Sequence, residues 1–326
     1  MRKEQKVLEA DKKCVPVQKM VFARTNPGQE VNSFAPRNTP GKHMREDGVI
    51  YLNDVCYGDQ YPNSYLDIWY TSDEIGKRPT VIYIHGGGFI FGDKVTGDPL
   101  AQKEAGGGDF FGDLAKKGYN VVSPNYALSP EYRFPAQVDQ VDQALRFLTK
   151  HQEEYGLDME NVFLGGGSAG ACLSEIYGVA LTNPEYGERI GVKPSIRPEQ
   201  IRGLLIDEAA LSTVHFEENM KAMLGCWMGV DELSKSPYAD ILNAAKWIGD
   251  TYFPSFINAS NREIFFEDSA RELKEILDQN GTDYDYVFWG REHDDLEHGY
   301  MQRYESNPYA RECFERMLAF VEKYRK

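Results

Sequence analysis

The chain has 326 residues, 41% of them hydrophobic, and 51 acidic against 36 basic side chains give a net charge of -15. This is the composition of a soluble globular protein with core enough for one large α/β domain, and its acidity argues against nucleic acid or an anionic membrane surface as partner. Cys14, Cys56, Cys172, Cys226 and Cys313 are scattered without C-x-x-C spacing, which disfavours a disulfide framework or a zinc site. The charged N-terminus MRKEQKVLEADKKC carries no signal-like apolar stretch, and no run reaches the length of a membrane span. The chain therefore reads as a reduced, cytoplasmic protein.

Residues 1–47 mix charge with Pro and Gly and read as an arm with one short helix. Residues 48–326 read as a catalytic domain in which strands alternate with helices. Eight strand-like runs begin at Gly48, Ser64, Thr80, Tyr119, Asn161, Ile201, Ser255 and Tyr284, several of them rich in β-branched and aromatic residues. The clearest helix, PAQVDQVDQALRFLTKHQEEY from Pro135, sets Val138, Val141, Ala144, Leu145 and Leu148 on one stripe. Further helices are expected near 109–117, 169–182, 268–279 and 309–324. The alternation implies an α/β fold, a mostly parallel eight-stranded sheet with helices on both faces, binding ligands at the carboxyl ends of its strands. Residues 212–253 break the alternation with helical, aromatic-rich sequence and read as a lid insertion, in which Trp227, Trp247, Tyr252 and Phe253 are expected to narrow the pocket.

Two glycine clusters carry the chemistry. In GGGSAGACL, Gly166 and Gly170 flank Ser168 two positions either side, as a nucleophile on a sharp strand-to-helix turn requires. A turn alone would explain the cluster, but the third strand also runs into HGGGF, His85 to Phe89. An HGGG loop followed by a G-x-S-x-G, each at a strand end, is the oxyanion loop and nucleophile of a serine hydrolase.

From Gly48 onward the sequence resembles the α/β-hydrolase superfamily, in particular the hormone-sensitive-lipase-like esterases and acetyl esterases. Beside the two glycine motifs, NYALSPEYRFPAQVDQ from Asn125 resembles the family's stretch leading into a helix. Gly167 and Ala171 depart from the family, which often has aspartate and glycine there. The resemblance implies the α/β-hydrolase fold, an oxyanion hole of the Gly87, Gly88 and Ala169 amides, and a triad ordered serine, acid, histidine. His298, in LEHGYM, is similar to the family's His-Gly-Phe and is preferred as base over His293; His85 reads as a structural hydrogen-bonder. The acid is expected after the seventh strand, where Glu263 matches best and Glu267 and Asp268 are near; Asp207 and Glu208, after the sixth, are the alternative.

The expected activity is that of a serine carboxylesterase cleaving short, acetyl-like acyl esters through an acyl-enzyme. An amidase or peptidase of the same fold, or an inactive ligand-binding homologue, are the rivals. No metal or organic cofactor is implied, the partner is a small-molecule ester, and whether the chain self-associates is open.

Overall fold

The computed structural model describes residues 8–33, 36, 39–71, 78–101, 109–212 and 214–326. Among the described residues nine strands form one sheet: β1 (Gly41–Met44), β2 (Ile50–Cys56), β3 (Tyr65–Tyr70), β4 (Pro79–Ile84), β5 (Asn120–Pro124), β6 (Asp158–Gly167), β7 (Ile201–Asp207), β8 (Ser255–Asn258) and β9 (Tyr284–Val287). Among the described residues the α-helices are α1 (Glu9–Thr25), α2 (Phe110–Lys116), α3 (Ala136–Lys150), α4 (Gln152–Tyr155), α5 (Ala169–Thr182), α6 (Pro184–Ile190), α7 (Glu218–Met228), α8 (Ile264–Asn280) and α9 (Pro308–Tyr324).

The strand order is β1-β2-β3-β5-β4-β6-β7-β8-β9. The first three strands and the β3/β5 pair are antiparallel, and from β5 to β9 every pairing is parallel. All eight expected strands are present. The ninth, β1, corrects the count: it comes from the arm, where a turn closed by the Arg45 amide on the Val49 carbonyl (2.8 Å) folds four residues back on β2. Four mostly exposed residues without apolar alternation carry no strand signal of their own.

Alternate residues of the central strands feed two cores. Ile82, Ile84, Leu164 and Ile206 point to the layer holding α3, α5 and α8, whereas Val81, Tyr83, Phe163 and Leu205 pack under α2 and α9. Helix α5 is buried from Ala169 through Ala180, which is why it is apolar all round rather than amphipathic. Ser168 therefore sits at the N-terminal end of a helix enclosed on all sides.

Residues 1–47 also contribute α1, 17 residues long, longer than the short helix expected. It lies on α7 of the insertion, sharing a small core with Cys14, Val21, Ala222 and Cys226. Arg133 clamps the two helices together, its guanidinium paired with Asp11 (2.7 and 3.1 Å) and donating to the Cys226 carbonyl.

Candidate active site

The carboxyl ends of β4, β6 and β7 lie side by side in the sheet, and each delivers one part of the site. After β6 the chain turns into α5 through Ser168, whose φ of 53° and ψ of -116° place a non-glycine residue in left-handed backbone space. Such strain persists only where the surroundings over-determine it. Here the Ser168 amide donates to the Asp207 carbonyl at the end of β7 (2.8 Å). A β-carbon on Gly166 or Gly170 would collide with the Ile84 carbonyl, so the two flanking glycines are demanded by the close approach of β4.

After β4 comes the HGGGF loop, His85 to Phe89. Gly87, Gly88 and Phe89 all have positive φ (104°, 57° and 65°), and the Ile90 and Phe91 amides close the loop on the Gly87 carbonyl (3.1 and 2.9 Å). His85 is structural, as expected: its ring stacks on Tyr126 (4.2 Å between centroids), its Nδ1 meets the Gly86 carbonyl (2.8 Å), and burial lowers its pKa. Helix α7 reaches this loop through Trp227, which stacks on Phe89 at 3.5 Å and donates from its indole nitrogen to Gln137 (2.9 Å).

Ser168, Ala169, Gly88 and His298 border one cavity of about 210 Å³, walled by Met220 and Met223 of α7 and Phe265 and Phe266 of α8. His298 reaches it from the loop after β9, its ring stacked on Phe266 (4.6 Å). None of the four aromatic residues expected to narrow the pocket lines it. Trp227, Tyr252 and Phe253 are buried in the main core, and Trp247 packs on Tyr186 and Arg189. Composition marks the insertion as bulky; the rotation of its helices, which composition does not encode, decides which side chains face the substrate.

The carboxylate on Nδ1 of His298 is Glu208. It accepts from the imidazole Nδ1 and from the Gly299 amide (2.8 Å). Glu208 is the residue directly after β7, held at a φ of 59° with its own amide on the Asn258 carbonyl (3.0 Å). The preferred Glu263 lies in the cavity wall instead, where it accepts from the Ser260 hydroxyl (2.8 Å) and precedes α8. Glu267 and Asp268 pair with Arg271, and Asp268 also holds His215. Asp207 accepts from the Tyr83 hydroxyl (2.5 Å), and burial, followed by the adjacent Glu208 charge, pushes its carboxyl up to about 7. His293 stands away from this site, 42% exposed against Trp289 and Tyr309.

A fourth group escaped the sequence reading. Asp98, in the loop that follows HGGGF, is half-buried with its side chain 9% exposed, and its Oδ2 lies 3.2 Å from His298 Nε2. Its signal was the Gly-Asp-Pro turn at 97–99, which carries chemistry only once β4 and β9 are brought together. Burial disfavours the imidazolium of His298, but the Glu208 charge, with Asp98 and the hydrogen bonds to both, holds its pKa well above the usual histidine value.

A BD-FAE family model matches residues 66–270, more than half of the chain. Esterase LipI of Mycobacterium tuberculosis is 32% identical over 106 residues, 32% of this chain and 30% of its own. An acetyl esterase of Salmonella paratyphi B is 31% identical over 119 residues, covering 36% and 32%. The chain thus spans about a third of the length of these curated relatives. Among solved structures, Esterase B from Lactobacillus rhamnosis superposes with a TM-score of 0.71 at 19% identity, covering 96% of this chain and 95% of that one. It has also been crystallised with a C4-C4 tributyrin phosphonate inhibitor. An esterase of the bacterial hormone-sensitive lipase family gives 0.62 at 20% identity, covering 96% and 98%. These likenesses establish the α/β-hydrolase fold.

Proposed function

The chain belongs to the BD-FAE family, and from that premise we propose that it is a serine carboxylesterase in which Ser168 attacks the ester carbonyl, His298 is the base and Glu208, rather than Glu263, orients it. The observation carrying this reading is one cavity bordered by a serine on a strained elbow and by a histidine whose Nδ1 is fixed on a buried carboxylate. A serine hydroxyl is a poor nucleophile without such a base. With Nδ1 committed to Glu208, Nε2 is the nitrogen left to take the Ser168 proton and pass it to the leaving alkoxide. The oxyanion takes hydrogen bonds from the Gly88 and Ala169 amides at the cavity wall, whereas the Gly87 amide, the third donor expected, is engaged by the Asp98 carboxylate. Water, activated by the same histidine, then frees the acyl group.

Short acyl chains are the proposed substrates. A cavity of about 210 Å³ ending on Met220, Met223, Phe265 and Phe266 receives a few methylenes, each gaining about 0.8 kcal/mol, before further ones meet packed side chains. Inhibition of the structurally similar Esterase B by a tributyrin phosphonate agrees with a short-chain site in this fold. The test is a fluorophosphonate probe followed by peptide mass spectrometry, together with aryl esters of two to sixteen acyl carbons. Labelling of Ser168 and a kcat/KM that peaks at a short chain are expected. A protein unlabelled at Ser168, or a kcat/KM still rising at sixteen carbons, overturns the respective part.

A further inference from the structure

Resting on the esterase reading, we propose that Asp98 is a positioning residue: it holds His298 by Nε2 in a resting orientation and ties the base to the oxyanion loop. Nε2 is the nitrogen that must accept the Ser168 proton, yet its hydrogen bond runs to Asp98 Oδ2 at 3.2 Å. The carboxylate is itself built into the oxyanion loop. Its Oδ1 accepts from the Leu100 amide (2.8 Å), and it fills the space where a β-carbon on Gly86 would stand. Burial works against the Asp98 anion, but the hydrogen bonds to His298 and to the Leu100 and Gly87 amides keep its pKa below the usual value. One side chain thus touches both the base and the backbone from which the oxyanion donors come.

Among the described residues, the titratable groups facing His298 are carboxyls. Glu208 after β7 meets Nδ1, Asp98 after β4 meets Nε2, and Asp207 lies behind Glu208, while α8 presents the uncharged Phe266 ring. An imidazole bonded through both nitrogens to carboxylates is favoured as the imidazolium, since each nitrogen then donates. In this state the proton needed by the leaving group is stored, and the lone pair needed by Ser168 is withheld. The base becomes competent by losing that proton and turning Nε2 from Asp98 to the serine, so Asp98 sets the pH at which the site switches on.

Asparagine at 98 removes the charge and offers an amide that donates to neutral Nε2. Carbon-13 histidine NMR of the full chain, with the His298 resonance assigned through His298→Ala, should show the Asp98→Asn imidazole titrating at least about one pH unit lower than wild type. The acid limb of kcat/KM should move down equally, leaving about tenfold more of the base neutral below the wild-type midpoint. Asp98→Glu, which keeps the charge, should hold the limb above that of Asp98→Asn. An NMR titration and a limb both unmoved in Asp98→Asn, with activity merely lower at every pH, would mean that Asp98 only braces the loop and would overturn the proposal. Should Asp98→Asn fail to fold, Glu208→Gln decides: His298 must still titrate above about 6.5 with Asp98 as its remaining anion, and a normal value overturns the proposal. Failure of wild type to hydrolyse esters or to label at Ser168 would instead sink the esterase reading, which the NMR titration does not depend on.

Discussion

Glu208 binds two consecutive residues of one loop, accepting from Nδ1 of His298 and from the amide of Gly299 at 2.8 Å. A carboxylate that bridges ring and backbone anchors Nδ1 and so sets the tautomer of the neutral imidazole. Glu208→Gln should therefore cost several orders of magnitude in kcat, up to about 10⁴-fold as in other triads. Glu263→Gln, at a side chain that accepts from Ser260 in the cavity wall, should cost less than about tenfold. Steady-state kinetics on an acetyl aryl ester distinguish them, and the reverse ranking would return the acid to α8.

Ser168→Ala should lose at least about 10³-fold in kcat, because the triad acts as a unit. Its far-ultraviolet circular dichroism should match wild type. Near-normal turnover in this variant would remove Ser168 from the mechanism.

The two carboxylates on His298 give the pH dependence a sign. A base must be neutral, and these anions hold the imidazolium above the usual histidine value, so kcat/KM should rise with pH through a midpoint above about 6.5. Linkage runs the other way for stability: a raised folded-state pKa contributes stabilisation that is complete below about 6.5 and is lost as pH rises through the folded value. Melting of wild type against His298→Ala at pH 5 and at pH 9 should show the larger difference at pH 5.

Lys94 is buried between Asp54 (2.7 Å) and Asp67 (2.5 Å). Lys94→Met leaves two buried carboxylates without this cation and should cost about 3–5 kcal/mol in urea denaturation at neutral pH. Burial already raises the Asp67 carboxyl, so the deficit should shrink toward pH 4 as the carboxyls take up protons. A constant deficit would mean that lost packing, not charge, is responsible.

Asp11→Ala removes the paired hydrogen bonds that fasten α1 through Arg133. A charged hydrogen-bonded contact of this kind contributes about 1.5–3 kcal/mol, and KM should rise more than kcat falls because α7 walls the cavity. Calorimetry and kinetics on the same preparation test both parts.

The sequence disclosed those parts of the molecule that leave a local imprint. Gly166 and Gly170 announce the elbow because a neighbouring strand forbids side chains there, and His85 to Gly88 announce a loop of positive φ. Eight strands showed through their β-branched, aromatic composition. The carboxylate that meets His298 Nδ1 did not, since Glu208 and Glu263 each follow a strand and differ in which turn faces His298, a matter of tertiary geometry. Asp98 was hidden for a related reason: it lies 200 residues from its partner. The arm misled in its own way, for α1 contains Pro16 and little apolar periodicity, and its length is sustained by packing on α7 rather than by propensity.

That packing sets an order of events on heating. The roof of the pocket is α7, and it is braced from outside by a helix that lines none of the cavity. The sheet, by contrast, is covered on both faces. Peripheral helices open at lower free energy than core strands, so a warming sample sheds the brace first, the roof slackens, and the protein falls silent while its circular dichroism still reads as folded.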